Sequence, residues 1–115
     1  MRALHTVLLT LAALTVAAPT LAQDASAARG KEVFDLWCYS CHKRLNPGDM
    51  PVAGTSSLQR NYNGAKPAAL EDRTDLNAAY IKALVRHGYK SMPPARKTEI
   101  SDADLEALTH YLVKQ

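Results

Sequence analysis

The five residues Cys38-Tyr39-Ser40-Cys41-His42 constrain this chain more than any other stretch. They contain both cysteines of the sequence, with two residues between them and a histidine directly after the second. On a helical turn, residues three apart share a face, so both thiols project to one side and the imidazole follows beside them. Each thiol can then add to one vinyl group of a haem, forming a thioether, while the imidazole binds the iron from the same side. Cys-x-x-Cys-His is the attachment pattern of a c-type haem. Cys38 and Cys41 are therefore read as covalent anchors, and His42 as the proximal ligand of a single haem c.

Other chemistries use two close cysteines, and the rest of the chain argues against each. A thioredoxin-like pair sits where a strand meets a helix, and no stretch here alternates apolar and polar residues as a half-buried strand would. A zinc site needs further cysteine or histidine ligands at matching spacing. No third cysteine exists, and His87 and His110 stand alone in helical segments. A disulfide is open to any exported protein with two cysteines, but it leaves His42 unexplained.

Export itself is legible in the first residues. Arg2 precedes an uncharged apolar run from Val7 to Ala18, Pro19 breaks it, and Thr20-Leu21-Ala22 ends in the small residues a signal peptidase accepts. The run is shorter than the ~20 apolar residues of a spanning helix. Residues 1–22 are expected to be a signal peptide and 23–115 a single domain, periplasmic and without a membrane span after processing. A domain of about 90 residues is marginal unless something supplements its core, and this one has one Trp and one Phe. A large flat cofactor supplies what the side chains lack. The 14 Lys and Arg against 11 Asp and Glu are too balanced, and too evenly spread, for nucleic acid.

Three segments carry helical periodicity. The first spans Ala27 to Tyr39, with Val33, Phe34 and Trp37 as its apolar stripe. The second spans Ala78 to His87, with Tyr80, Ile81, Leu84 and Val85 inward, Lys82 and Arg86 outward, Asn77 as N-cap and Gly88 as terminator. The third spans Asp102 to Lys114, capped by Ser101 with Asp104 three residues on, burying Leu105, Leu108, Tyr111 and Leu112. The connection from Lys43 to Asn77 holds several prolines and glycines and reads mostly as turns, with a short helix near Pro67 to Glu71. A connection of that length is unusual unless it has work to do, and wrapping a cofactor is such work.

Four residues of the mature chain could supply a second axial ligand: Met50, Met92, His87 and His110. Met92 lies in the loop between the second and third helices, with Pro93 and Pro94 after it to stiffen the backbone. It is expected to be the distal ligand. Met50 follows His42 by eight residues and is placed second, with filling of a core gap as its expected role. With His42 and Met92 both bound, the iron has no open position for oxygen, peroxide or substrate. A thioether ligand also raises the potential relative to two histidines. The expected function is single-electron transfer, not catalysis. The alternative is a haem with a labile distal ligand, acting as a peroxidase or gas binder.

Together these residues resemble the class I cytochrome c family over nearly the whole mature chain. Gly30 and Phe34 match the place where the family's N-terminal helix crosses its C-terminal helix, and Tyr111 matches the aromatic opposite. Met92-Pro93 matches the distal ligand segment. Pro51 resembles the family's proline whose carbonyl accepts the axial histidine's Nδ1–H, with Pro47 a weaker claimant. The resemblance implies an all-α fold with crossed terminal helices around one covalent haem. A narrower likeness runs through Tyr62-Asn63-Gly64, the segment from Pro67 to Leu76, and Val85-Arg86-His87-Gly88 to Ile100. It is similar to cytochrome subunits that accept electrons from flavoproteins of the vanillyl-alcohol oxidase type, which oxidise 4-alkylphenols such as 4-cresol or eugenol. That implies a redox protein partner of this kind. Lys43, Arg44, Arg86, Lys90, Arg96 and Lys97 flank the ligands in sequence and are candidates for a docking rim. Arg73 is a candidate partner for a haem propionate.

Overall fold

The computed structural model describes residues 18–113. All of the apolar run but Ala18, and most of the leader read from the sequence, lie outside these residues. Five α-helices and one 3₁₀ turn follow in order: α1 (Ala18–Trp37), α2 (Tyr39–His42), α3 (Ala53–Tyr62), the 3₁₀ turn (Leu70–Asp72), α4 (Ala78–His87) and α5 (Asp102–Leu112). Among the described residues there is no strand, only an isolated antiparallel bridge between Tyr89 and Met92. No helix among them is long and apolar enough to cross a membrane. The architecture is all-α.

The crossing of α1 and α5 organises the domain. Gly30 is buried against α5, where a side chain would meet the Ala107 carbonyl and the Tyr111 Cβ. Phe34, fully buried, lies with its ring centroid 5.8 Å from that of Tyr111. Arg29 donates to Asp104 at 2.8 Å across the same junction. The expected crossing of Gly30 and Phe34 with Tyr111 is thus observed. Val33, Phe34, Ile81, Val85, Ile100, Leu105, Leu108 and Leu112 form one continuous core.

The predicted caps are in place. Asn77 accepts from the Tyr80 N–H at 2.8 Å to start α4, and Ser101 accepts from the Asp104 N–H at 3.0 Å to start α5. Gly88 ends α4 with φ 69°. It also lies tight against the next loop, since a Cβ there would meet the Met92 carbonyl oxygen at 2.6 Å. The end expected for α5 at Lys114 lies outside the described residues.

Four expectations need correction. Helix α1 already runs at Ala18, the first described residue, well ahead of Ala27, through an alanine-rich stretch of good helix formers. Trp37 is 46% exposed: it is the last residue of α1 and stands beyond the crossing that buries Val33 and Phe34. Tyr80 is 54% exposed, one residue ahead of Ile81 and therefore turned off the face that Ile81 and Val85 define. Arg86 does not face outward. It is half-buried, donating to the Ala95 carbonyl at 3.1 Å and to Asp102 at 2.9 Å.

The connection between α1 and α4 is more ordered than its composition suggests. Its longest element is α3, built from Ala53-Gly54-Thr55-Ser56-Ser57-Leu58-Gln59-Arg60-Asn61-Tyr62. Glycine, threonine and serine are poor helix formers, so this segment reads as turns until its tertiary contacts are known. It stops at Asn63 and Gly64, both with positive φ. The helix expected near Pro67 to Glu71 is reduced to the 3₁₀ turn at Leu70–Asp72.

Candidate functional site

The attachment turn is a break and restart of helix. Cys38 separates α1 from α2, its N–H still donating to the Phe34 carbonyl at 2.8 Å. Its own carbonyl accepts from Cys41 N–H at 3.1 Å and from His42 N–H at 2.9 Å. Both cysteine residues and the histidine are therefore set by one turn of backbone hydrogen bonds. The two thiols are free, Cys38 partly buried against the core and Cys41 exposed. Burial, with a smaller effect of Cys41 beside it, pushes the Cys38 thiol up to about 11. It stays protonated at neutral pH.

His42 is seated from below by the first turn of α3. Gly54 lies so close that a Cβ would stand 2.6 Å from His42 Cε1, 2.7 Å from its Nδ1 and 2.5 Å from the Cys41 carbonyl oxygen. Thr55, 4% exposed, donates its Oγ1 to the Lys43 carbonyl at 2.7 Å, pinning the backbone just after the histidine. Neither residue was marked in the sequence, where a glycine and a threonine ahead of two serines look like loop. Burial holds the His42 imidazole below its ordinary value. That favours the neutral form, which is the form able to bind a metal.

Among the described residues, His42 Nδ1 is the only buried side-chain nitrogen or oxygen without a hydrogen-bond partner. The resemblance gives this nitrogen the Pro51 carbonyl as its acceptor. The Nδ1 edge of the ring faces Gly54, and Pro51 lies exposed ahead of α3.

Met92 is held in the loop between α4 and α5. Its N–H donates to the Tyr89 carbonyl at 2.9 Å, and Tyr89 N–H donates back to the Met92 carbonyl at 3.0 Å. The Ala95 N–H donates to the Val85 carbonyl at 2.7 Å, tying the far end of the loop to α4. The Met92 and Cys38 side chains pack against the same core cluster. The other three candidates are not so placed. Met50 is 80% exposed, which overturns its expected role in filling a core gap: the turn from Asn46 to Asp49 carries it into solvent. His87 is exposed at the end of α4, and His110 is exposed beside Glu106 at 3.9 Å.

The cationic candidates are largely engaged within the domain. Arg44 forks onto Asp72, Arg96 pairs with Glu99 at 3.0 Å and Lys97 with Asp102 at 2.6 Å. Lys90 lies over the Tyr89 ring at 5.3 Å. Arg73 is buried, forked onto Asp75, donating to the Tyr62 hydroxyl at 2.7 Å and stacked 4.8 Å from that ring. Its guanidinium braces the connection between α3 and α4, a role its sequence context did not suggest.

Two thiols and an imidazole on one turn, with a thioether against the same core, form a donor set suited to a covalent haem. Burial of His42, which favours the neutral imidazole, agrees with it. Set on crossed N- and C-terminal helices, this defines a class I c-type cytochrome. The chain belongs to the family described as cytochrome C oxidase, cbb3-type, subunit III, whose model matches residues 25–112. Its cofactor is haem c, its iron held in a covalently bound ring, and its function is electron transport. Over 99 residues it is 31% identical to the 4-cresol dehydrogenase [hydroxylating] cytochrome c subunit of Pseudomonas putida, covering 86% of this chain and 71% of that one. No solved structure matches the chain.

Proposed function

We propose that this chain is a periplasmic electron carrier that receives electrons from a redox enzyme through one haem c with histidine and methionine ligands. Residues 1–22 act as the export signal, and residues 23–115 form the carrier. Cys38 and Cys41 are the thioether anchors, His42 the proximal ligand and Met92 the distal one. The observation that carries the reading is the single helical turn bearing both cysteine residues and the histidine, seated on α3.

When bound, the haem supplies one-electron chemistry, its iron alternating between ferric and ferrous. The protein's part is to hold and orient. Cys38 and Cys41 fix the ring to α2, so the cofactor is retained outside the cell. His42 and Met92 would both bind the iron, leaving oxygen, peroxide and substrate no place on it. The crossing of α1 and α5 and the hydrogen-bonded loop at Met92 hold these donors in a fixed frame.

The enzyme partner we propose is a flavoprotein dehydrogenase of the vanillyl-alcohol oxidase type, acting on a 4-alkylphenol. The 31% identity to a 4-cresol dehydrogenase cytochrome subunit supports this, together with the similarity through Tyr62 to Ile100.

The test is a visible spectrum of the purified protein, oxidised and reduced, with a haem stain on a denaturing gel. A stain that survives denaturation, sharp reduced bands and the weak far-red sulfur–iron band are expected. Covalent haem without that band would remove Met92 and turn the reading toward a peroxidase or gas binder. Mixing the oxidised protein with a substrate-reduced flavoprotein of this type should give reduction within the enzyme's turnover time. Reduction far slower than turnover would reject the partner and leave the carrier standing.

A further inference from the structure

We propose that Arg86 is a positioning residue for Met92: it clamps the far end of the loop between α4 and α5 and so keeps the thioether on the iron. The inference rests on Met92 being the distal ligand.

A ligand carried on a loop holds its place through the bonds that fix the loop's two ends. The near end is closed by the reciprocal bonds between Tyr89 and Met92, at 3.0 and 2.9 Å. Lys90 in that turn has φ 52°, a left-handed value uncommon outside glycine, so the turn is held against some backbone cost. Beyond Met92, Pro93 and Pro94 have no N–H to donate, and Ala95 supplies the next tie. Its N–H donates to the Val85 carbonyl at 2.7 Å, and its carbonyl accepts from Arg86 Nη1 at 3.1 Å. Two adjacent residues of α4 thus grip one residue of the loop through both halves of its backbone.

Arg86 also reaches past the loop. Its Nη2 donates to Asp102, in the first turn of α5, at 2.9 Å, and Lys97 holds the other oxygen of that carboxylate at 2.6 Å. One planar guanidinium therefore joins α4, the loop and α5, which a lysine's single nitrogen could not do. The Arg86 side chain is 18% exposed and Asp102 64%. Of the two bonds, the one to Ala95 is the better shielded from water and carries more of the clamp. Arg29 offers a contrast, since its bonds go to Asp104 on α5 and Glu32 on α1 rather than to the loop.

The experiment uses the haem-loaded protein and its Arg86→Met, Arg86→Lys and Arg29→Met variants. Methionine keeps the apolar stem of Arg86 and removes both bonds; lysine keeps the charge with one nitrogen for two partners. The far-red sulfur–iron band of the oxidised protein is followed against temperature below global unfolding, and carbon monoxide binding is timed in the reduced protein. In Arg86→Met the fraction of molecules with Met92 off the iron is expected to rise about tenfold or more, as for one lost hydrogen bond to a charged group. The band should then fade at a lower temperature, and carbon monoxide should bind faster by the same factor. Arg86→Lys should fall between this variant and the parent. Arg29→Met should lower the unfolding temperature while leaving the band and the carbon monoxide rate as in the parent.

An Arg86→Met protein with the parent's band and carbon monoxide rate would overturn the proposal. Equal changes in Arg29→Met would overturn it too, because general loosening would then explain them. If Arg86→Met yields no haem-loaded protein, Arg86→Lys decides by the same comparison. Failure of the underlying reading looks different: the parent itself would lack the far-red band and bind carbon monoxide as readily as its variants.

Discussion

Gly30 and Ala107 touch backbone to backbone where α1 crosses α5: a Cβ on Gly30 would stand 2.6 Å from the Ala107 carbonyl carbon and closer still to its oxygen. The approach brings Phe34 under Tyr111, and the Tyr111 hydroxyl onto Glu71 in the connection. Burial first, and that carboxylate second, hold the Tyr111 hydroxyl well above the ordinary tyrosine range.

Replacing Gly30 with Ala therefore forces the two helices apart. The expected cost is about 3 kcal/mol, the upper end for overpacking, because the obstacle is backbone and cannot rotate away. Phe34→Ala, which empties a fully buried position, should cost about 3–5 kcal/mol. Urea unfolding of the haem-loaded proteins measures both. A Gly30→Ala midpoint equal to the parent's would show that the helices separate freely.

The two methionines should behave oppositely. Met92→Ala is expected to abolish the far-red sulfur–iron band, lower the potential and let carbon monoxide bind at neutral pH. Met50→Ala, at a position 80% exposed, should leave the spectrum and potential as they were. Loss of the band in Met50→Ala with retention in Met92→Ala would exchange their roles.

Acid should loosen the fold through its paired carboxylates. Asp75 is held far below the usual range by Arg73 and then Lys66, and Asp102 below it by Lys97 and then Arg86. Asp104 is lowered chiefly by Arg29. A carboxyl with a lower pKa folded than unfolded binds fewer protons when folded, so its contribution is complete above the unfolded value of about 3.9 and fades as pH falls below it. Thermal unfolding followed from pH 6 to pH 3 should show the melting temperature falling only below about pH 4–5. Asp75→Asn, which leaves buried Arg73 without its carboxylate, should lower the plateau and flatten the acid slope. An unchanged slope would mean that the pair forms equally in the unfolded chain.

Thiol chemistry should separate the two cysteines in chain prepared without haem. Cys41 is exposed, whereas Cys38 is partly buried with its thiol pushed up to about 11. The thiolate is the reactive form, so a thiol that is both covered and held protonated reacts slowly. Iodoacetamide labelling followed by peptide mass spectrometry should find Cys41 modified well before Cys38. Equal rates would show that the turn at Cys38 opens faster than the reagent reacts.

What the sequence determined by itself was whatever depends on neighbours along the chain. Cys38, Cys41 and His42 share one turn because their spacing is local, and Asn77, Gly88 and Ser101 act on the backbone beside them. The α1–α5 crossing was legible through the family resemblance alone, in which Gly30 and Phe34 match the N-terminal helix and Tyr111 the C-terminal one. Tertiary structure alone decided the rest. Helix α3 forms from weak helix formers because its first turn packs beneath His42 and ties to Lys43, contacts that no local propensity encodes. The same holds for Trp37 and Tyr80, whose exposure depends on where neighbouring helices end, and for Arg73, whose partners were settled by the folding of the connection around Tyr62. Local spacing specifies which atoms can do the chemistry; the packing of distant segments decides how firmly, and at what angle, they are held.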